Sequence, residues 1–204
     1  MELTQERVIP KKMKETNGLL IEHIQRYKFA QKYCQGRVLD IACGVGYGSS
    51  YVITKKVNEY VGVDISHESI DYAKKHYNHP TASYLTGDCL DKQLPEKLGV
   101  FDTIVSFETI EHFYGDDIFV NNLYKMLRPG GTLLISTSFG KGKGKSCGNE
   151  FHVHQYKEEE FVEVLSKFSD LDMFYQWGKR IEKPQDGIRY FLMLAVCKKP
   201  SGCL

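Results

Sequence analysis

The segment Val38–Ser49 (VLDIACGVGYGS) constrains this chain more than any other, because an apolar, β-branched run ends in three glycines at alternate positions. Arg37–Ala42 reads as a strand, and Gly44, Gly46 and Gly48 open a helix. Glycines in such a turn allow dihedrals that a Cβ forbids and let a ligand approach the backbone closely. In open α/β sheets the first strand–helix turn lies at the carboxyl ends of the strands, where ligands bind. Two ligand classes fail on spacing. A dinucleotide turn wants G-x-G-x-x-G, but counting from Gly44 puts Ser49 at the third position and Gly48 one place early. A phosphate-binding loop needs G-x-x-x-x-G-K-[ST]. Gly144-Lys145-Ser146 nearly ends one, yet its first glycine position is Phe139 and it lies far from the first turn.

The rest of the chain alternates strand-like and helix-like patches. Strand-like runs are Arg37–Ala42, Tyr60–Asp64, Ser83–Leu85, Thr103–Ser106, Thr132–Thr137, Leu171–Trp177 and Tyr190–Cys197. Several are apolar throughout, as strands covered on both faces are. Helical patterns occupy Gly18–Cys34, Ser66–Tyr77, Asp116–Leu127 and Lys157–Phe168. Leu20, Ile24, Tyr27 and Cys34 share one face of the first, and Ser66 caps the second with Glu68 in its first turn. Arg128-Pro129-Gly130-Gly131 is a turn signal that stops the third. This order predicts a doubly wound α/β fold. The connection Gly178–Ile188 holds Gly178, Pro184 and Gly187 and reads as a long loop, so the last two strands are expected to be an antiparallel pair closing one edge.

Composition narrows the function classes. The 204 residues suit one domain, and 42 % apolar with 26 % charged residues is a soluble globular mixture. A net charge of +1 gives no global field toward nucleic acid or an anionic membrane. No secretory leader or membrane-spanning run is visible. The six cysteines (Cys34, Cys43, Cys89, Cys147, Cys197 and Cys203) form no CxxC pair, so reduced thiols in a cytoplasmic protein are the plain reading.

The turn matches D-x-G-x-G-x-G through Asp40, Ala42, Gly44 and Gly46, and in this it resembles the first motif of the class I S-adenosylmethionine-dependent methyltransferases. Ala42 stands where that family usually has glycine. Further resemblance follows in the family's order: Asp64 with Ile65 at the end of the second strand, Gly87-Asp88-Cys89 after the third, Phe101–Glu108 (FDTIVSFE) at the fourth, and Leu127–Gly131 before TLLIST. The resemblance covers roughly residues 37–137. It implies S-adenosylmethionine as cofactor, with Asp64 on the ribose hydroxyls, Asp88 and Cys89 at the adenine, and Phe107 at the methionine end. The implied fold is Rossmann-like: a mostly parallel seven-stranded sheet with an antiparallel last strand and helices on both faces. One domain, 1–204, is expected to comprise an N-terminal lid (1–35) whose Tyr27 touches the cofactor, a cofactor-binding core (36–138) and an acceptor side (139–204).

Methyl transfer is an in-line displacement that needs an aligned nucleophile and often a base. Two segments supply candidates. In Glu108-Thr109-Ile110-Glu111-His112, a helical turn would put Glu108, Glu111 and His112 on one side. In Asn149–Tyr156 (NEFHVHQY), an extended backbone would point His152 and His154 the same way. Glu111 with His112, His152 or His154 therefore forms the candidate catalytic set, with a histidine as general base. Similar ETIEH and FHV segments, together with Glu6–Pro10 (ERVIP) and Glu22–Tyr27 (EHIQRY), resemble sugar O-methyltransferases of surface-polysaccharide clusters. That implies a small-molecule hydroxyl acceptor, a sugar or sugar nucleotide; RNA or protein methylation, or cofactor binding without catalysis, are the alternatives. E-x-x-E-H with a later histidine also resembles the metal site of the small-RNA terminal 2′-O-methyltransferases. That resemblance implies a divalent metal on Glu108, Glu111, His112 and His152, or His154 in place of His152. Lys141, Lys143 and Lys145 form either a solvated loop or a flap for phosphate. No heptad announces an oligomer.

Overall fold

The computed structural model describes residues 7–202, so Glu6 of the ERVIP segment and Cys203 lie outside the described residues. The elements follow in chain order: α1 (Gly18–Ala30), β1 (Gly36–Ile41), α2 (Ser49–Val52), β2 (Val57–Asp64), α3 (His67–His76), β3 (Ala82–Thr86) and α4 (Leu94–Leu98). Then come β4 (Phe101–Phe107), α5 (Asp116–Met126), β5 (Leu127–Ser138), α6 (Glu158–Val164), β6 (Ser169–Trp177), β7 (Arg180–Glu182) and β8 (Leu192–Lys198). A 3₁₀ turn at Ile110–His112 follows β4. Local chemistry sets the helix starts. Asn17 accepts from Leu20 N to cap α1, and Ser66 accepts from Ser69 N to cap α3.

The strands form one mixed sheet in the order β3-β2-β1-β4-β5-β8-β6-β7. Pairs from β3 to β5 are parallel, whereas β8 is antiparallel to both β5 and β6. Two expectations are corrected here. The sheet has eight described strands rather than seven, because the expected loop Gly178–Ile188 contains β7, which folds back on β6 through Trp177↔Arg180. Gly178, with φ +54, makes that tight reversal possible. Both β7 and β8 are thus antiparallel, and β8 is an interior strand. The turn expected at Arg128–Gly131 instead opens β5. Phe101 pairs with Leu127 and Thr103 with Thr132, so the extra residues are absorbed in a bulge where Gly130 takes φ +75.

Each sheet face is buried under its own apolar layer. Leu39, Ile41, Ile104 and Leu133 face Phe119, Leu123 and Phe161 from α5 and α6. Val38, Tyr60, Val105 and Leu134 face Leu20, Tyr27, Ile70 and Ala73 from α1 and α3. No described helix is long and apolar enough to cross a membrane. Cys34, Cys43, Cys89, Cys147 and Cys197 are free thiols.

Candidate active site

A cleft opens at the carboxyl ends of β1, β2 and β4 and divides into two chambers of about 300 and 370 Å3. Ala42, Asp64, Ile65, Glu108 and His112 line both. The first chamber adds the glycine turn (Cys43–Val45), Phe107, and His23 and Tyr27 from α1. The second adds Gly87, Asp88, Cys89 and Phe113.

The glycine turn is shaped by its dihedrals. Ala42, Gly44 and Gly46 all take positive φ, at 60°, 55° and 80°. The alanine therefore holds a left-handed conformation that costs an L-residue roughly 1–2 kcal/mol, which accounts for glycine being usual there. A Cβ on Gly44 would meet nothing within 4 Å, so that backbone is bare toward the cleft. Asp64 fastens the turn: its Oδ2 accepts from Gly44 N at 2.8 Å and its Oδ1 from Ser66 N at 2.9 Å. Each carboxylate oxygen retains a second lone pair.

Asp88 makes an Asx turn with Leu90 N at 2.8 Å while lining the second chamber. Its loop is pinned by Asn122 of α5, whose amide donates to Cys89 O and Asp91 O. Nothing in the local pattern singles out Asn122, since its partners lie over 30 residues away. Ile65 is 69 % exposed at the mouth of both chambers. Phe107 and Tyr27 meet edge to face with centroids 5.2 Å apart.

Asp40 is not at the cleft. It is 1 % exposed, and it accepts from Tyr60 Oη at 2.6 Å and Tyr27 Oη at 3.3 Å. Burial pushes its carboxyl up to about 7, against the two phenol hydrogen bonds and helped by the Asp64 charge. It braces α1 against β1 and β2. Gly48 likewise answers to packing, since a Cβ there would sit 2.3 Å from Tyr27 Cε1.

The acidic–histidine cluster is only partly as expected. Glu108, in a left-handed turn at φ 52°, binds Ser136 Oγ through Oε1 at 2.9 Å and faces both chambers. It does not share a side with Glu111, because the chain bends sharply between them. Glu111 is fully buried; Oε1 accepts from Ser138 N and Oγ, while Oε2 has no hydrogen-bond partner among the described residues. Burial, then repulsion from Glu108, pushes its carboxyl up to about 8. His112 and His152 meet edge to face at 4.9 Å. His112 Nδ1 lies 2.9 Å from Phe151 O. A carbonyl only accepts, so Nδ1 carries the proton and Nε2 is the basic nitrogen of the neutral ring.

The expected convergence of His152 and His154 fails, because Asn149–Tyr156 is irregular rather than extended. His154 is 3 % exposed and pairs with Tyr156 Oη at 2.8 Å; that hydroxyl in turn donates to Asp116 at 3.0 Å. Burial lowers the His154 pKa against the opposite pull of Asp116, and the ring packs away from the cleft. Lys143 is engaged as well: its ammonium pairs with Asp116 and its backbone N–H donates to Glu160. That leaves it unsuited to a phosphate flap. Glu111, His112 and His152 are the described residues with metal-ligand spacing, their ligand atoms lying within 4.8 Å of one another. Glu108 is not among them.

The buried acids set an alkaline limit on stability. Both folded values exceed the unfolded ones, so these two carboxyls hold more protons in the folded state between about pH 4 and pH 8, and the stability they contribute falls as pH rises through that window. Glu111→Gln should remove its share of this slope. With divalent ions chelated, the variant should be more stable than wild type at pH 9 by roughly 5 kcal/mol and no more stable at pH 4. Urea unfolding at the two pH values measures this; an unchanged slope would refute it.

Known proteins resemble this chain in sequence and in fold. The profile described as "Methyltransferase domain" matches residues 39–135. A Mycolicibacterium smegmatis protein named as a probable S-adenosylmethionine-dependent methyltransferase is 31 % identical over 168 residues, 80 % of this chain and 63 % of its own length. A fatty-acid O-methyltransferase of the same organism is 31 % identical over 101 residues, 49 % of this chain and 36 % of its own. The chain thus spans less than two thirds of these relatives. Phosphoethanolamine N-methyltransferase 2 of Haemonchus contortus, solved with S-adenosyl-L-methionine, shares the fold at TM-score 0.66 and 15 % identity, over 90 % of this chain and 54 % of that one.

Proposed function

We propose that the chain is a class I S-adenosylmethionine-dependent methyltransferase, as the profile match over residues 39–135 and the 31 % identical relative support, and that it moves a methyl group to a hydroxyl of a small molecule, a sugar or sugar nucleotide, with His112 as general base. The cleft fits the cofactor: Asp64 offers lone pairs to a ribose diol, Ile65 and Cys89 offer contact to adenine, and Gly44 leaves room for the backbone to touch the methionine end. When bound, S-adenosylmethionine supplies an electrophilic methyl on a sulfonium. The observation that carries the base assignment is the His112 Nδ1 contact to Phe151 O, which fixes the ring with Nε2 basic beside both chambers. The imidazole takes the acceptor hydroxyl's proton, while Phe151 O holds the ring in place. The sugar class is supported by the ETIEH and FHV resemblance and by the near-neutral charge, which gives no footprint for nucleic acid.

His112→Ala should lower kcat by about 10²–10⁴. Cofactor affinity measured by calorimetry should change little. Turnover near wild type would end the assignment.

A divalent ion is a second reading of the same cluster, favoured by the buried, unpartnered Glu111 Oε2. The hydrogen bond from His112 Nδ1 to a backbone carbonyl is the support that ligating histidines usually have. Glu111, His112 and His152 would hold the ion, which would polarise an acceptor hydroxyl. Manganese or zinc should then raise the wild-type melting temperature and release a proton from Glu111, and Glu111→Gln should show neither. Activity undiminished by exhaustive chelation, with no thermal shift, would rule this reading out.

A further inference from the structure

Helix α1 separates two cavities. His23 and Tyr27 line the first chamber of the cleft. Gln25, Lys28 and Phe29 of α1, with Lys32 just beyond its end, line a separate open cavity of about 230 Å3 on the other side of the helix, bordered by Lys179 and Ile181. Lys179 follows the Gly178 reversal and Ile181 lies on β7, so the strand hidden in the expected loop builds this wall. Gln176 of β6 fixes the wall to the helix by donating to Glu22 O at 3.0 Å.

The lining holds three ammonium groups and no acid. Lys28 approaches the Tyr51 ring at 6.0 Å and Lys32 the Phe29 ring at 5.2 Å, but none of the three makes an ion pair with a described residue. Lys28 lies in the last turn of α1, Lys32 just beyond its end and Lys179 on another element, so three like charges repel one another around one cavity. An anion in the cavity offsets this repulsion. The floor is apolar, with Phe29 9 % exposed and packed on Phe174 at 4.9 Å. Lysines act as point charges toward phosphate, Gln25 adds an amide donor, and the ring and Ile181 suit an organic group beside it.

We propose that this cavity binds the phosphate or diphosphate of a small phosphorylated molecule, at a site distinct from the cofactor cleft and separated from it by α1. The site does not depend on the methyl-transfer reading. Its test is direct binding of inorganic pyrophosphate to the intact chain, by calorimetry at low ionic strength with sodium chloride matching each addition. Saturable binding is expected, weakened at least about tenfold in the triple variant Lys28→Ala, Lys32→Ala, Lys179→Ala. Lys74→Ala with Lys75→Ala, on α3, should bind as wild type does. These side chains are exposed, so folding is expected to be kept, and circular dichroism checks it. No saturable binding, or equal binding by the triple variant, overturns the proposal.

Discussion

Gly46→Ala is expected to destabilise the protein by about 3–4 kcal/mol, whereas Gly44→Ala, two residues earlier in the same turn, should cost only about 1 kcal/mol. Both glycines have positive φ, so both substitutions carry the left-handed penalty. They differ in what a Cβ meets. At Gly46 it would lie 2.6 Å from Ala73 Cβ and 2.7 Å from Tyr84 Cε1. Ala73 cannot swing away, being fixed to the α3 backbone. Tyr84 is also held, with its hydroxyl 2.8 Å from Ser49 Oγ and 3.0 Å from Tyr77 O. At Gly44 the space is open, so the loss there falls on ligand approach instead. Urea unfolding of the two variants measures the contrast, and equal losses would show that dihedral strain alone governs the turn.

Asp64→Ala is expected to weaken S-adenosylmethionine binding at least about hundredfold on the reading proposed above. Two hydrogen bonds to a charged carboxylate contribute about 1.5–3 kcal/mol each. The same change removes the acceptor of Gly44 N and Ser66 N, freeing the turn from the start of α3. Stability should therefore also fall, by about 1–2 kcal/mol. Asp64→Asn separates the two effects, since its single carbonyl oxygen can hold one backbone N–H but not a diol as well. Calorimetric titration with the cofactor decides the matter; an affinity within about threefold of wild type would remove Asp64 from the binding set.

What could be read from sequence was local. The glycine turn, the Ser66 cap and the Asp64 strand end are each encoded by a few adjacent residues and stand where the pattern placed them, and α5 ends at Met126, one residue before the expected Leu127. What failed needed tertiary knowledge. Asp40 fits its motif, but its environment is set by Tyr27 and Tyr60, 13 and 20 residues away. His154 was paired with His152 by a period of two, which an irregular segment does not obey. β7 is three residues long and sits among turn formers, so its pairing with β6 overrides the propensity of its neighbours. The Asp116 pairing of Lys143 spans 27 residues of sequence and left no local trace.

The interior place of β8 bears on how the chain reaches this fold. Residues 192–198 slot between β5 and β6, which lie up to 71 residues earlier. Until they arrive, both neighbours present unpaired N–H and C=O groups along apolar strands, the template on which chains pair wrongly. During synthesis the first five strands can assemble in parallel, but the sheet is completed only when its last strand is inserted. Assembly thus waits on a non-local step of the kind that slows folding and exposes a chain to aggregation.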